Sequence, residues 1–341
     1  MRFALVTADT SHRVSFKINP ETGDATSFMQ WVDILRGVHL SYAAITEEDE
    51  ALLKSCDLVM MSGHPSHVVD IIRIARMLKD TQAVSMFYPE GSTQLYDNSV
   101  RGFHKEYYEA WNACDVLSAA EEDKLGYYRS FVTKDTLVRF IHVPTTRDME
   151  AGGFLVPRRS KTNAVLVYGD NNPNHPLIAM ACAKKIGAHT VLAVEIGKEI
   201  VESVGWFMEG TRFVLSGKMS QNQFLRNLGE TLVHFYPTDW IGTARQAISC
   251  AAVGTPCVGN HDSHTQRRLF PELGCDVYDI ERMAELGLRL LSDEEFYNGI
   301  VRRAFDRSSF YGLESTKRRL FEAWQEASRL KNERAAALAC Q

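Results

Sequence analysis

Glu90, Lys218 and Arg245 stand where the chain can do acid–base and anion chemistry. Glu90 follows the apolar run 83–88 and precedes Gly91, Ser92 and Thr93, which places it at the end of a strand. A carboxylate partly withdrawn from water there holds its proton more tightly, as a general base requires; the plainer alternative is a helix-capping or loop acid. Asp9, after the first apolar run, and Asp24, after Pro20, are the next acids in line, and His12 and His64 at strand ends offer imidazole bases. Lys218 follows the apolar triplet Phe213, Val214 and Leu215 with only Ser216 and Gly217 between. Arg245 falls in the first turn of a helix opened by Gly242 and Thr243, where its charge opposes the helix dipole unless an anion is close. Beside the free N–H groups of Gly242 and Thr243, that placement suits bidentate capture of a phosphate.

The elements around these residues follow from periodicity. Residues 211–260 read as a strand over 213–215, a helix over 221–229 headed by Ser220 and Gln223 at capping-box spacing, and a strand over 231–235. The turn 236–240 leads to a helix that runs through Ala252 and stops at Gly254, and a further strand covers 256–259. In a parallel sheet with alternating helices, ligands collect at the carboxyl ends of strands, so an anionic, phosphate-bearing ligand is expected there. In the first half, strands are expected over 2–7, 39–45, 57–62, 83–88, 115–118 and 138–142, with helices over 68–78 and 105–113 between them. That alternation means an α/β parallel sheet. The pattern breaks around Pro144 to Asp148 and resumes with a strand over 163–168 after a polar linker. The expected domains are 1–155, 156–312, and a helical segment 313–341 that packs back through Leu320, Trp324, Ala327 and Leu330.

At 341 residues the chain exceeds what one core usually supports, consistent with two domains. No run approaches the roughly 20 apolar residues of a membrane span, and the amino end reads as a buried strand rather than a signal peptide, so no membrane partner and cytoplasmic residence are expected. The seven cysteines are scattered without a Cys-x-x-Cys pair and are expected to be reduced core residues. A net charge of −5 gives no overall footprint for nucleic acid and leaves room only for a local basic patch. His261, Asp262, Ser263 and His264 are too close in sequence to complete a metal site, no Asp-x-Asp stands elsewhere, and no metal is expected.

Two Rossmann-like units with the anion signals in the second resemble the GT-B fold of nucleotide-sugar glycosyltransferases, an α/β architecture of two such domains facing across a cleft. The best-matched stretches are 213–220, 236–242 and 247–258, with Leu269-Phe270-Pro271 and 283–304 beyond them. The resemblance implies transfer of a sugar from a nucleotide-sugar co-substrate, a UDP-sugar first of all, with no tightly bound cofactor. Its nucleoside pocket would draw on Gly217, Met219, Tyr236, Thr238 and Ser249. Members commonly carry a glutamate where Ser249 stands and an acid where Ile241 stands; without that pair, the inverting version is expected.

The chain also resembles the phage DNA β-glucosyltransferases, which glucosylate hydroxymethylated cytosine in duplex DNA. The pieces are Val14-Ser15-Phe16-Lys17 with Pro20-Glu21-Thr22, Phe87-Tyr88-Pro89-Glu90, Phe140-Ile141-His142-Val143-Pro144, Val167-Tyr168-Gly169, Ser216-Gly217-Lys218-Met219 and Glu322-Ala323-Trp324-Gln325. This likeness implies Glu90 at the position of their catalytic aspartate, Gly169 in the donor site, and double-stranded DNA as acceptor partner in a host cytoplasm. His12, Arg13, Lys17, His64, Arg101 and Lys105 would then line the acceptor side, with Phe103 as a wedge for base extrusion. The arginines that grip the diphosphate after the Tyr-Gly strand are missing, since Asp170-Asn171-Asn172-Pro173-Asn174-His175 stands there instead. Other outcomes are a small-molecule or glycan acceptor, a GT-B nucleotide-sugar epimerase, or a non-catalytic sugar-nucleotide-binding protein. The oligomeric state stays open.

Overall fold

The structure is a computed structural model describing residues 1–8, 29–63, 67–89, 104–119, 121–142, 156–168, 175–194, 196–217, 219, 221–239 and 245–339. By internal contact the described residues form two compact units, one from residues 1–142 together with 314–339, the other from 156–313.

In the first unit the order is β1 (Phe3–Thr7), α1 (Met29–Leu35), β2 (Val38–Ser41), α2 (Glu47–Ser55), β3 (Leu58–Gly63), α3 (Val68–Leu78), β4 (Val84–Pro89), α4 (His104–Ala113), β5 (Val116–Ala119), α5 (Leu125–Phe131) and β6 (Leu137–Phe140). The six strands are parallel in the order β2-β1-β3-β4-β5-β6. Successive side chains of a strand point to opposite faces. Ala4 and Val6 therefore enter one core with Val59, Met61, Phe87, Ile71, Ala75 and Trp111. Phe3 and Leu5 enter the other with Leu58, Met60, Val84, Met86 and Trp31. Burial on both faces is why these strands read as unbroken apolar runs. Helix α3 buries Val68, Ile71, Ile72, Ala75 and Leu78, the stripe expected of a 3.6-residue period. Helix α2 is started by Thr46, whose Oγ1 accepts from the Asp49 amide at 3.3 Å while Asp49 accepts from the Thr46 amide at 2.9 Å.

The largest departure from the expected strands is at β2. β2 stops at Ser41, and Tyr42–Ala44 make a 3₁₀ turn instead of carrying the strand to residue 45. The turn is held because Tyr42 Oη donates to the Ser62 carbonyl at 3.2 Å and its ring stacks on His67.

The second unit contains β7 (Thr162–Tyr168), α6 (Pro176–Lys185), β8 (Thr190–Val194), α7 (Lys198–Val204), β9 (Arg212–Ser216), α8 (Gln221–Glu230), β10 (Thr231–Tyr236), α9 (Arg245–Val253), β11 (Cys257–Asn260), α10 (His264–Leu269), β12 (Gly274–Cys275), α11 (Ile280–Ser292) and α12 (Glu294–Ser308). Its strands, also parallel, lie in the order β12-β11-β10-β7-β8-β9. The chain builds outward from β7 to β9, then returns to the other side of β7 for β10, so the direction of winding reverses between β7 and β10. Crevices that hold ligands in doubly wound sheets open at such a reversal, beyond the carboxyl ends of the strands.

The last helix, α13 (Leu313–Ala339), completes the first unit. Leu320, Ala323 and Ala327 join the core beneath α1, and Trp324 Nε1 donates to the Asp57 carbonyl at 3.1 Å. Lys331 Nζ donates to the carbonyls of Leu78 (2.9 Å) and Ala83 (2.7 Å) and lies 3.3 Å from Asp115 Oδ2. Asp57, Ala83 and Asp115 precede β3, β4 and β5, so the helix is anchored at the amino edge of the sheet. The six described cysteines are buried free thiols, and burial pushes those of Cys182 and Cys275 up to about 12. Among the described residues no helix is long and apolar enough to cross a membrane.

Candidate functional site

Asp9, His12, Arg13, Lys17, Asp24, His64, Glu90, Arg101, Gly169, Lys218, Gly242 and Thr243 lie outside the described residues. In the sequence, Asp9, His64 and Glu90 follow the last residues of β1, β3 and β4 by one or two positions, and those three described strands are neighbours in the first sheet. Lys105 is exposed near the start of α4. At the same edge Thr7 Oγ1 lies 2.9 Å from His39 Nε2. Glu121, just beyond β5, is fully buried, and it helps hold the Tyr128 hydroxyl well above the usual phenol range, after the larger effect of burial itself.

In the second unit the described candidates gather around the ends of β10 and β11, apart from Gly217 and Met219. His234 on β10 is fully buried. Its Nδ1 lies 2.9 Å from the Leu166 carbonyl on β7 and its Nε2 2.9 Å from Gln246 Oε1 in the first turn of α9. Burial pulls the His234 pKa below its usual value against both hydrogen bonds, and the neutral ring pins the two strands of the reversal to the helix that follows: Nδ1–H donates to the Leu166 carbonyl, and Nε2 accepts from the Gln246 side-chain amide once its oxygen and nitrogen are exchanged. Tyr236 stacks on His234 with ring centroids 6.0 Å apart. Thr238 is fully buried, and its carbonyl accepts from Asn260 Nδ2 at 2.9 Å. Asn260 Oδ1 in turn accepts from the Asp262 amide at 2.9 Å, fixing the turn after β11. A Cβ on Gly259 would come within 2.8 Å of the Tyr236 carbonyl, so only glycine lets β11 approach β10 here. Ser249 is buried within α9, and Arg245 is exposed at the start of that helix.

Gly217 is exposed beyond β9, and Met219 is half-buried, its Sδ 3.6 Å from Asn227 Nδ2. These two lie apart from the rest, because β9 forms the sheet edge and is separated from β10 by β8 and β7, roughly 14 Å at the usual strand spacing. Strands consecutive in the chain are thus not adjacent in the sheet, and the strands that precede Lys218 and Arg245 are not neighbours.

Sequence reasoning passed over a pair at the reversal. His175, immediately before α6, donates its amide to the Pro237 carbonyl at 2.9 Å, and its Nε2 lies 2.7 Å from Asp239 Oδ2. The signal available was a histidine before a proline at a helix start, in a stretch without lysine or arginine. Lys161 was passed over as well, but it lies at the amino edge, before β7. Its Nζ donates to the Gly229 carbonyl (2.6 Å) and Thr255 Oγ1 (2.8 Å), and burial pulls its pKa down to about 8.

Among the described residues the exposed Arg245 and the partly exposed His175 stand past a hydrogen-bonded strand edge, which suits an anionic ligand. No family model matches the chain, and no curated protein matches its sequence. Solved structures do resemble it. A sucrose-phosphate synthase from Thermosynechococcus elongatus is similar at a TM-score of 0.66 and 14% identity, over 98% of this chain and 99% of that one. An α,α-trehalose 6-phosphate synthase from Burkholderia multivorans gives 0.65 and 11%, over 99% of both chains. An α-glucosyltransferase in complex with UDP and a 13-mer DNA containing an HMU base gives 0.65 and 11%, over 95% of this chain and 99% of that one. With two parallel six-stranded α/β units matched over nearly their whole length, the chain has the GT-B fold seen in glycosyltransferases.

Proposed function

We propose that the protein is a glycosyltransferase that takes a sugar from a nucleotide-sugar donor, a UDP-sugar first of all, bound at the carboxyl ends of β7, β10 and β11. The observation that carries this reading is the reversal between β7 and β10, with Tyr236, Thr238, Arg245 and Ser249 arranged at or just behind its mouth. Gly169, Gly217, Lys218, Met219, Gly242 and Thr243 complete the donor set in this reading. Glu90 is the assigned base, with Asp9 and Asp24 as alternatives. The base removes the acceptor hydroxyl proton while the leaving diphosphate is stabilised by cations and N–H groups. The preferred acceptor is a 5-hydroxymethylated base in double-stranded DNA, approached through His12, Arg13, Lys17, His64, Arg101 and Lys105; the DNA complex among the similar folds supports it. Inversion is preferred because Ser249 and Ile241 replace the two acids of the retaining motif. Two similar folds are named for sugar-phosphate products, which favours a small phosphorylated sugar as the second reading.

The test is incubation with a panel of nucleotide sugars and either hydroxymethylated duplex DNA or sugar phosphates, followed by mass spectrometry. The reading expects nucleoside diphosphate release that rises with acceptor, one hexose or pentose added per acceptor, and loss of both in Glu90→Gln with donor binding intact. Sugar interconversion without acceptor would make the protein an epimerase, and no turnover with any donor would leave a binding protein. The anomer of the product, read by NMR, decides between inversion and retention.

A further inference from the structure

We propose that His175 and Asp239 form an imidazole–carboxylate clamp for the diphosphate of the donor, an inference that rests on the nucleotide-sugar reading above. β7 and β10 are the two strands of the reversal. His175 is reached after β7, at the head of α6, and Asp239 stands three residues beyond β10. His175 is held through both its main chain and its ring. Its own amide donates to the Pro237 carbonyl at 2.9 Å, its Nε2 is 2.7 Å from Asp239 Oδ2, and its ring lies against Tyr278 with centroids 5.5 Å apart. A group fixed in this way spends little conformational freedom on binding a ligand.

The chemistry follows from which nitrogen is engaged. With Nε2–H directed at the carboxylate, Nδ1 is left over, and it makes no hydrogen bond among the described residues. His175 is 27% exposed and Asp239 49% by side chain, so the pair can be reached from solvent, whereas His234, Thr238 and Ser249 are buried. A carboxylate so placed fixes the ring orientation and offsets the positive charge when Nδ1 also carries a proton. Nδ1–H then donates a charge-assisted hydrogen bond to a phosphate oxygen. Position argues for this role too: between Lys161 and Lys184, His175 is the only residue that can carry a positive charge. Between Arg226 and Arg245 the only such residue is His234, which burial keeps neutral and whose two ring nitrogens are both engaged. His175 is therefore the one side chain able to carry a positive charge in the segment that follows β7, as Arg245 is the first after the segment that follows β10.

Calorimetric titration of the full chain with UDP, uridine and inorganic pyrophosphate tests the clamp. His175→Ala is expected to weaken UDP and pyrophosphate about tenfold while uridine affinity stays within about twofold, the size of one charge-assisted hydrogen bond. Asp239→Asn is expected to weaken UDP about threefold, and His175→Lys to restore most of the pyrophosphate affinity. Thermal unfolding checks that each variant is folded; if His175→Ala is not, Asp239→Asn decides. Unchanged UDP affinity, or equal losses for UDP and uridine, overturns the clamp and leaves the transferase reading standing. A wild-type protein that binds pyrophosphate through His175 but no UDP keeps the clamp and overturns the nucleotide-sugar reading. One that binds none of the three overturns both.

Discussion

Lys161 shows how a buried charge can be structural rather than catalytic. Its ammonium donates to the Gly229 carbonyl at the end of α8 and to Thr255 Oγ1, which passes a hydrogen bond on to the Leu228 carbonyl at 2.8 Å. Burial lowers its pKa from 10.5 to about 8. Between those two values the unfolded chain keeps a proton that the native protein has released, so this residue makes the native state more stable as pH rises from about 8 to 10.5. At roughly 1.4 kcal/mol per pH unit, the rise is on the order of 3 kcal/mol. Buried thiols such as that of Cys182, raised to about 12, pull the other way, so the quantity to read is the difference between wild type and Lys161→Met. Urea unfolding at pH 7.5, 9 and 10.5 is expected to show that difference growing in favour of the wild type. His234 works at the acid end. Its folded pKa lies below 6.5, so its contribution is complete above pH 6.5 and is lost as acidification protonates the unfolded chain first. His234→Gln is expected to flatten the fall in melting temperature between pH 7 and 5, measured by calorimetry.

At the scale of elements, the amino edge of the first sheet depends on α13. Leu320 is fully buried there with Ala323 and Ala327, and Leu320→Ala is expected to cost about 2–5 kcal/mol in urea unfolding. A much smaller loss would show that the helix is not part of the first core. Most elements were legible in the sequence because their faces are covered on both sides: α3 falls on its expected span 68–78, and β1, β3 and β4 are buried throughout and mostly apolar. The end of β2 was not legible, because the turn after it is held by Tyr42 bonding to Ser62, twenty residues away in sequence. The lateral order of β7 to β12 was not legible either. Pairing is non-local, and nothing in the run 213–215 marks β9 as an edge except the half-exposed pattern that the structure displays. The same blindness hid the His175–Asp239 contact, which spans 64 residues. Tyr236, Thr238, Arg245 and Ser249 were readable because each lies just past, or on the helix after, a strand that periodicity had already marked.

For the molecule as a whole, the acceptor is a question of charge as much as shape. A net charge of −5 means that any affinity for DNA must come from a local patch against an unfavourable overall field. Such a patch works by releasing counterions. Transfer to hydroxymethylated duplex DNA is therefore expected to fall by about tenfold or more between 50 and 200 mM salt, while donor hydrolysis without acceptor changes little. Equal salt responses in the two assays would argue for a small acceptor. Beneath either outcome lies the claim that the second unit holds the donor at the carboxyl ends of β7, β10 and β11. Hydrogen–deuterium exchange with and without UDP-glucose reads this directly. Exchange is expected to slow in 175–180, 234–239, 245–250 and 258–264, with the amino-edge segments around Lys161 and Thr255 unchanged. Slowing confined to the amino edge, or to the first unit, would contradict it.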